Sequence, residues 1–348
     1  MKKLLVASAL TLLATGAYAS NFRGADQVYV PVAAHQSGNS GVFITDAYIS
    51  NLSADPVSVS VIYQPVGAEL PADQSIGTEF RDVIKLKAYE RKEYLDFYKS
   101  ALNFTTGQNA FGQLIFNGCK DNTDCGPATQ NNEGVSPNFR PISVETRIYS
   151  IPKNAPPNAP TTGQLFSGIP WYNYVSELQN NVGLDKVFIT GITQNGTAGT
   201  PGTYRSNVGL VNVSQWSTTT MDVKIYQGTM TDADKKGEIL VTLKPLGSIL
   251  KAVSGQADSL FPNLAPGSNY FITVEQRNSE AFGNNVPASC DKGCPAFLAY
   301  GSVLDNVSGD ATTLEPQYLK ELDAEAILVI YPKAGSSDKS SNRRAVRH

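Results

Sequence analysis

Histidine is almost missing from this chain: His35 is the one internal copy, and the other is the last residue. Four cysteines and three methionines are the only sulfur-bearing side chains. A rich metal or redox centre therefore has almost no ligands to draw on, and no cofactor is expected. Charged residues are sparse too, at 17%. Gly (29) and Pro (20) interrupt every long stretch, which excludes a long coiled coil. Beyond the N-terminus no run approaches the roughly eighteen apolar residues of a transmembrane helix. What the chain does have is apolar residues, 41% of 348, enough for a sizeable core and for about two domains.

The first residues have the form of an export signal. Lys2 and Lys3 make a positive start, Leu4 to Leu13 an apolar run, and Ala17-Tyr18-Ala19 an A-x-A cleavage site. Residues 1–19 are thus read as a signal peptide, with the mature chain starting near Ser20 and exported to the periplasm, cell surface or exterior of a Gram-negative-like bacterium. No lipobox-like cysteine follows. Without Lys2, Lys3 and the tail 336–348, the chain holds 22 basic and 30 acidic residues, a body of net −8. That body has no electrostatic footprint for a phosphate backbone, so no nucleic-acid partner is expected. The tail, with Lys339, Arg343, Arg344 and Arg347 against Asp338, is basic and poor in apolar residues, the composition of a disordered end.

Strand signals fill the space between. Val57-Ser58-Val59-Ser60-Val61 puts valines on one face and serines on the other. Ile142, Val144, Thr146 and Ile148 alternate with Ser143, Glu145, Arg147 and Tyr149. Met221, Val223 and Ile225 do the same, as do Tyr270, Ile272 and Val274. A period of two with half the positions polar predicts antiparallel sheets with one face on a core and one toward water. Helix is expected only over Arg91–Leu102 and Gln317–Ala326.

One pattern occurs twice. Thr45-Asp46…Asn51-Leu52-Ser53 aligns with Ser206-Asn207…Asn212-Val213-Ser214. Tyr63-Gln64 then matches Tyr226-Gln227, Leu86-Lys87 matches Leu243-Lys244, and the Cys119/Cys125 pair matches Cys290/Cys294. A long strand closes each copy, around Ile142–Tyr149 and Ala296–Leu304. The offset is about 160 residues, which reads as duplication of one sandwich rather than as a solenoid. The fold class is therefore all-β, with two tandem Ig-like antiparallel sandwiches and little helix. The expected layout is a first sandwich over 20–152, a Pro-rich linker and junction over 153–183, and a second sandwich over 184–335. On the motifs Phe43–Asn51, Tyr204–Asn212 and Ala299–Asp310, the chain resembles uncharacterised secreted bacterial proteins with tandem Ig-like repeats. The resemblance implies fold and export, and brings no assigned reaction.

Residues that could carry chemistry are few. In an exported chain, close cysteine pairs favour the disulfides Cys119–Cys125 and Cys290–Cys294 over a four-Cys zinc site. His35 lies near Ser37 and Ser40, but no G-x-S-x-G elbow exists, and Gly38–Gly41 reads as a hairpin loop. His35 is read as a strand-end residue. No motif selects a carboxylate pair for glycoside hydrolysis. Asp305, Asn306 and Asp310 are oxygen ligands in one turn and form the calcium candidate, against a reading as turn caps. Trp171, Tyr172 and Tyr174 could stack on a glycan or anchor a partner, against packing at the junction. These readings converge on a non-enzymatic structural or interaction protein. Its partner is another protein or a second copy, joined through sheet edges into filaments; the alternative is a carbohydrate-binding module using the junction aromatics.

Overall fold

A computed structural model describes residues 24–37, 41–67, 78–105, 107–120, 138, 140–152, 155–156, 161–170, 175–176, 186–196, 199–213, 218–276 and 296–319. The fold is nearly all antiparallel strand, as the alternating patterns predict. In the first half run β1 (Gln27–Ser37), β2 (Gly41–Asn51), β3 (Val57–Pro65), β4 (Thr78–Leu86), β5 (Arg91–Tyr94), the short helix α1 (Phe97–Ser100), β6 (Ala110–Cys119), β7 (Ile142–Pro152), β8 (Thr162–Ser167) and β9 (Ile169–Pro170). In the second half follow β10 (Val175–Ser176), β11 (Lys186–Gln194), β12 (Tyr204–Asn212), β13 (Thr219–Gln227), β14 (Lys235–Leu243), β15 (Ser248–Ala252), β16 (Gly267–Gln276), β17 (Ala296–Asp305), β18 (Ala311–Leu314) and β19 (Gln317–Leu319).

The first nine strands form one continuous sheet that folds over at a corner. β1 and β2 pair only through His35–Ser37 and Val42–Ile44. Beyond that they part: β1 takes β9 as its neighbour, and β2 takes β5. The result is a layer ordered β4-β3-β6-β1-β9 and a second ordered β5-β2-β7-β8. Val28, Val59, Leu114 and Phe116 from one layer meet Ala47, Ile49, Ile142 and Val144 from the other, with Phe97 and Tyr98 of α1 filling the gap. In the second half the layers are ordered β14-β13-β16-β11-β19 and β10-β17-β12-β15, with β18 also on β17. Their core holds Val187, Val223, Ile272 and Val274 against Val208, Leu210, Phe297 and Ala299. The order β4-β3-β6-β1-β9 thus recurs strand for strand as β14-β13-β16-β11-β19.

The sequence periodicity holds along β7, where Ile142, Val144, Thr146 and Ile148 are buried and the intervening side chains are not. It misleads on β3. Ser58 and Ser60 do not face water; both are buried, because the outer face of their layer lies against the second half of the chain. Helix over Arg91–Leu102 is also corrected. Arg91–Tyr94 is β5, since its backbone finds ladder partners on β2, and helix is confined to the four residues of α1. The other expected helix opens instead as β19 on β11, and the rest of it lies outside the described residues.

Inside the stretch read as linker, β8 pairs with β7 and β9 with β1, while β10 pairs with β17. Phe166 and Ile169 are apolar enough to bury and draw this stretch onto the first half. The segments 1–19 and 336–348 lie outside the described residues. No described helix is long and apolar enough to cross a membrane.

Candidate functional site

The corner where β1 and β2 part interrupts a ladder, and side chains complete its hydrogen bonds. Thr45 Oγ1 accepts from Ala34 N–H at 2.7 Å and donates to Ala34 C=O at 3.0 Å. In the second half Ser206 Oγ accepts from Thr193 N–H at 3.0 Å and donates to Thr193 C=O at 2.8 Å. The repeated Thr45-Asp46 and Ser206-Asn207 pairs are therefore corner locks, needed because buried backbone groups must be paired.

His35 and Asp46 belong to the first corner. His35 is buried, and its Nδ1 lies 2.8 Å from Asp96 Oδ1, so the carboxylate fixes Nδ1 as a protonated nitrogen. Asp96 has a left-handed backbone (φ 48°), ion-pairs with Lys99 at 3.2 Å, and gives its N–H to Asp46 Oδ1 at 2.9 Å. Tyr149 Oη donates to the same oxygen at 3.3 Å. Burial raises the Asp46 pKa, opposed by these two hydrogen bonds and the Arg147 charge. Burial and Asp46 together push the Tyr149 phenol up to about 12. Tyr98 and Phe104 enclose the imidazole, with ring centroids 6.0 and 6.3 Å away. The cluster ties His35 of β1, Asp46 of β2 and Tyr149 of β7 to Asp96 at the start of α1. Asp46 stood in the repeated Thr45-Asp46 motif, whereas no motif selected Asp96; in the counterpart corner Gln194 and Asn207 occupy the places of His35 and Asp46.

The two halves meet through sheet faces. Tyr29, Ile62 and Ile115 from the β3-β6-β1 layer pack on Val211, Val213, Leu298 and Tyr300 from β12 and β17. Gly209 leaves room for the Tyr300 ring, which a Cβ there would meet at 2.0 Å. Tyr300 also stands edge-on to Phe166 at 5.7 Å. Gly67 and Ser248 exchange backbone hydrogen bonds at 3.1 and 2.6 Å, and Gln113 Nε2 donates to Leu246 C=O at 2.9 Å.

Register aligns the copies position by position, and it moves one match made from sequence. Val61 stands opposite Phe116, and Val223 opposite Val274, so Gln64 aligns with Tyr226 rather than Tyr63 with Tyr226. On the buried face Ile62, Ile115, Ser60 and Asn117 correspond to Lys224, Thr273, Asp222 and Glu275. The face that docks is uncharged, and its counterpart in the second half is charged. There Lys224 pairs with Asp222 at 2.8 Å and Lys186 with Glu275 at 3.0 Å. The same contrast holds for the opposing layer: Gly209 and Tyr300 correspond to Tyr48 and Glu145.

One turn shows the difference most sharply. Asn212 Nδ2 donates to Lys244 C=O at 2.9 Å and Gly247 N–H to Lys244 C=O at 2.8 Å, closing a turn in which Leu246 has φ 56°. Asn51 Nδ2 and Glu90 N–H make the same bonds to Lys87 C=O, at 2.9 and 3.1 Å, with Tyr89 at φ 55°. Leu246 is 1% exposed against the first half, and Tyr89 is 71% exposed.

The calcium candidates carry hydrogen bonds within their own turn and to β12 and the residue before it. Asp305 Oδ1 accepts from Val307 N–H, Ser308 N–H and Ser308 Oγ at 2.7 to 3.0 Å, and the Ser308 and Val307 amides lower its pKa. Asn306 Oδ1 accepts from Arg205 at 2.8 Å, and Asp310 Oδ1 from Ala311 N–H at 3.1 Å. No group of three His, Cys, Asp or Glu with metal-ligand placement occurs among the described residues. Cys119 is buried at the end of β6, and no free thiol occurs among the described residues. Cys125, Cys290, Cys294, Trp171, Tyr172 and Tyr174 lie outside them.

Comparison with known proteins adds little. No family model and no curated protein matches the chain. One solved structure, described as "Biofilm associated protein - BSP domain", is 13% identical with a TM-score of 0.21. That match covers 88% of this chain and 61% of the other, so this chain spans less than two thirds of its length. A likeness that small carries no argument.

Proposed function

We propose that this chain is a non-enzymatic, exported structural protein of two β-sandwich domains, acting at the cell surface or outside the cell and assembling with further copies through its exposed surfaces. The supporting observation is the uncharged face pair buried between the halves. A fully buried Ile such as Ile62 stabilises by about 1.5–3 kcal/mol, so several such side chains make the two halves one block. Outward the block offers the exposed Arg91–Glu145 side of β2, β5 and β7 and long strand edges. β4 and β14, nine residues each, have a strand neighbour on one side only among the described residues. Such edges accept a further strand unless charge or cover prevents it.

On this reading the disulfides Cys119–Cys125 and Cys290–Cys294 are local staples worth about 2 kcal/mol each. The buried His35–Asp96 pair is a structural lock and not a catalytic dyad. Sedimentation and electron microscopy of the mature chain from Ser20 test the proposal. Concentration-dependent oligomers or fibres are the expected outcome; a monomer at millimolar concentration would refute the assembly.

A further inference from the structure

Of the two long edges, β4 is guarded and β14 is open among the described residues. Register makes them comparable. Val59 stands opposite Ile84 and Val61 opposite Phe80, where Met221 stands opposite Val241 and Val223 opposite Ile239. Between Phe80 and Ile84 lie Arg81, Asp82 and Val83, whereas between Ile239 and Val241 lies Leu240 alone. β4 is therefore bulged, and the Arg81 side chain on the bulge is 64% exposed. Bulges and charges are how an edge turns away a further strand. β14 pairs without irregularity from Gly237 to Leu243. Its charges, Lys235, Lys236 and Glu238, lie toward its start, Lys244 follows its end, and residues 239–243 carry none. Leu240 is 40% exposed there, and Val241 is only partly buried although its counterpart Ile84 is 0% exposed.

The chain itself holds a segment suited to that edge. Residues 327–331, Ile-Leu-Val-Ile-Tyr, are an uncharged run of strand-forming side chains between Glu325 and Lys333. Their place in the repeat directs them outward. Tyr318 of β19 stands opposite Val187 as Pro170 of β9 stands opposite Val28, at the same edge of the same layer. Beyond β9 the chain leaves its own sandwich and is next held by β17 of the other half. The same exit beyond β19 points the following residues away from their own sandwich and toward another.

Resting on the assembly reading above, we infer that residues 327–331 of one molecule add as an antiparallel strand to β14 of a second copy. Antiparallel pairing brings Glu325 to the Lys244 end of β14 and Lys333 to the Glu238 end, whereas parallel pairing sets Lys333 beside Lys244. Apolar side chains on both faces of the added strand cover Val241 on one side of the layer and meet Leu240 on the other. Donor segment and accepting edge are different surfaces, so the contact is heterologous and propagates head to tail.

The test is sedimentation of the mature chain over a concentration series, with hydrogen exchange read on β14. Val329→Pro removes a backbone donor from the segment. Leu240→Lys changes an exposed side chain and gives β14 the kind of charge that guards β4. Protection of the β13 and β16 amides checks that each variant keeps its fold. Each is expected to weaken association at least tenfold, and the edge-facing amides of 239–243, protected in the wild-type assembly, are expected to exchange freely in both. An equimolar mixture of the two is expected to stop at dimers, since one segment and one edge remain intact. Association unchanged in either variant overturns this contact while leaving the assembly reading in place. A wild-type chain that stays monomeric overturns both, including one whose own segment protects its β14.

Discussion

The junction between the halves can be broken without breaking either sandwich, and Ile62→Lys is the substitution that does it. Ile62 is 1% exposed, at the centre of the face that receives β12 and β17. The corresponding position in the second half is Lys224, so the strand lattice itself accommodates a lysine there. At position 62 the change removes about 1.5–3 kcal/mol of apolar burial and leaves an unpaired ammonium costing a few kcal/mol more. The total is on the order of 5 kcal/mol, more than three decades in the opening equilibrium. Hydrogen exchange reads this directly at Gly67 and Ser248, whose amides bond across the junction. Their exchange should accelerate by about a thousandfold or to the limit of the unprotected amide, while β13 and β3 keep their protection. Unchanged exchange at Gly67 and Ser248 would sink the argument, and so would collapse of β3 protection along with theirs.

Further expectations follow from comparing the copies. Thr45→Val leaves the Ala34 backbone groups unpaired and should cost about 1–3 kcal/mol in urea unfolding, whereas Thr45→Ser, the residue of the second corner, should cost far less. Tyr98 is fully buried with no hydrogen-bond partner for its hydroxyl, so Tyr98→Phe should be neutral or stabilising by about 1 kcal/mol. Asp46 has a folded pKa raised by burial, so its ionisation disfavours the folded state. Wild-type stability should therefore lose a contribution as pH rises from the ordinary carboxylate range through the raised value. Asp46→Asn should remove that slope and melt no lower at pH 7, which thermal scans between pH 3 and 7 check. Intact mass with and without reductant should show two disulfides in the mature chain; four free thiols would contradict the proposed pairs.

The duplication was legible because alternation in β7, β13 and β16 is strong and the same turn chemistry, Asn51 and Asn212 above all, ends the same strand in each half. The Thr45-Asp46 and Ser206-Asn207 motifs were visible as repeats, but their purpose was not, since a broken ladder at a corner is a property of the folded sheet. Ser58 and Ser60 misled because small neutral polar side chains suit water and a protein face equally well. The discriminating signal was present all the same: outward positions of β3 and β6 carry no charge, while those of β13 and β16 do. Arg91–Leu102 read as helix, yet Leu95 is 60% exposed and the ladder from Arg91–Tyr94 to β2 prevailed over the local pattern. Trp171, Tyr172 and Tyr174 fall outside the described residues, so their reading stands where the sequence left it.

Pro170 is held on β1 and Val175 on β17, five residue steps apart. A fully extended chain of that length reaches only about 18 Å. While both pairings hold, this leash keeps each half within millimolar effective concentration of the other. Re-closure is then a local, first-order event, and a molecule pulled open under load can recover its shape without meeting a second one.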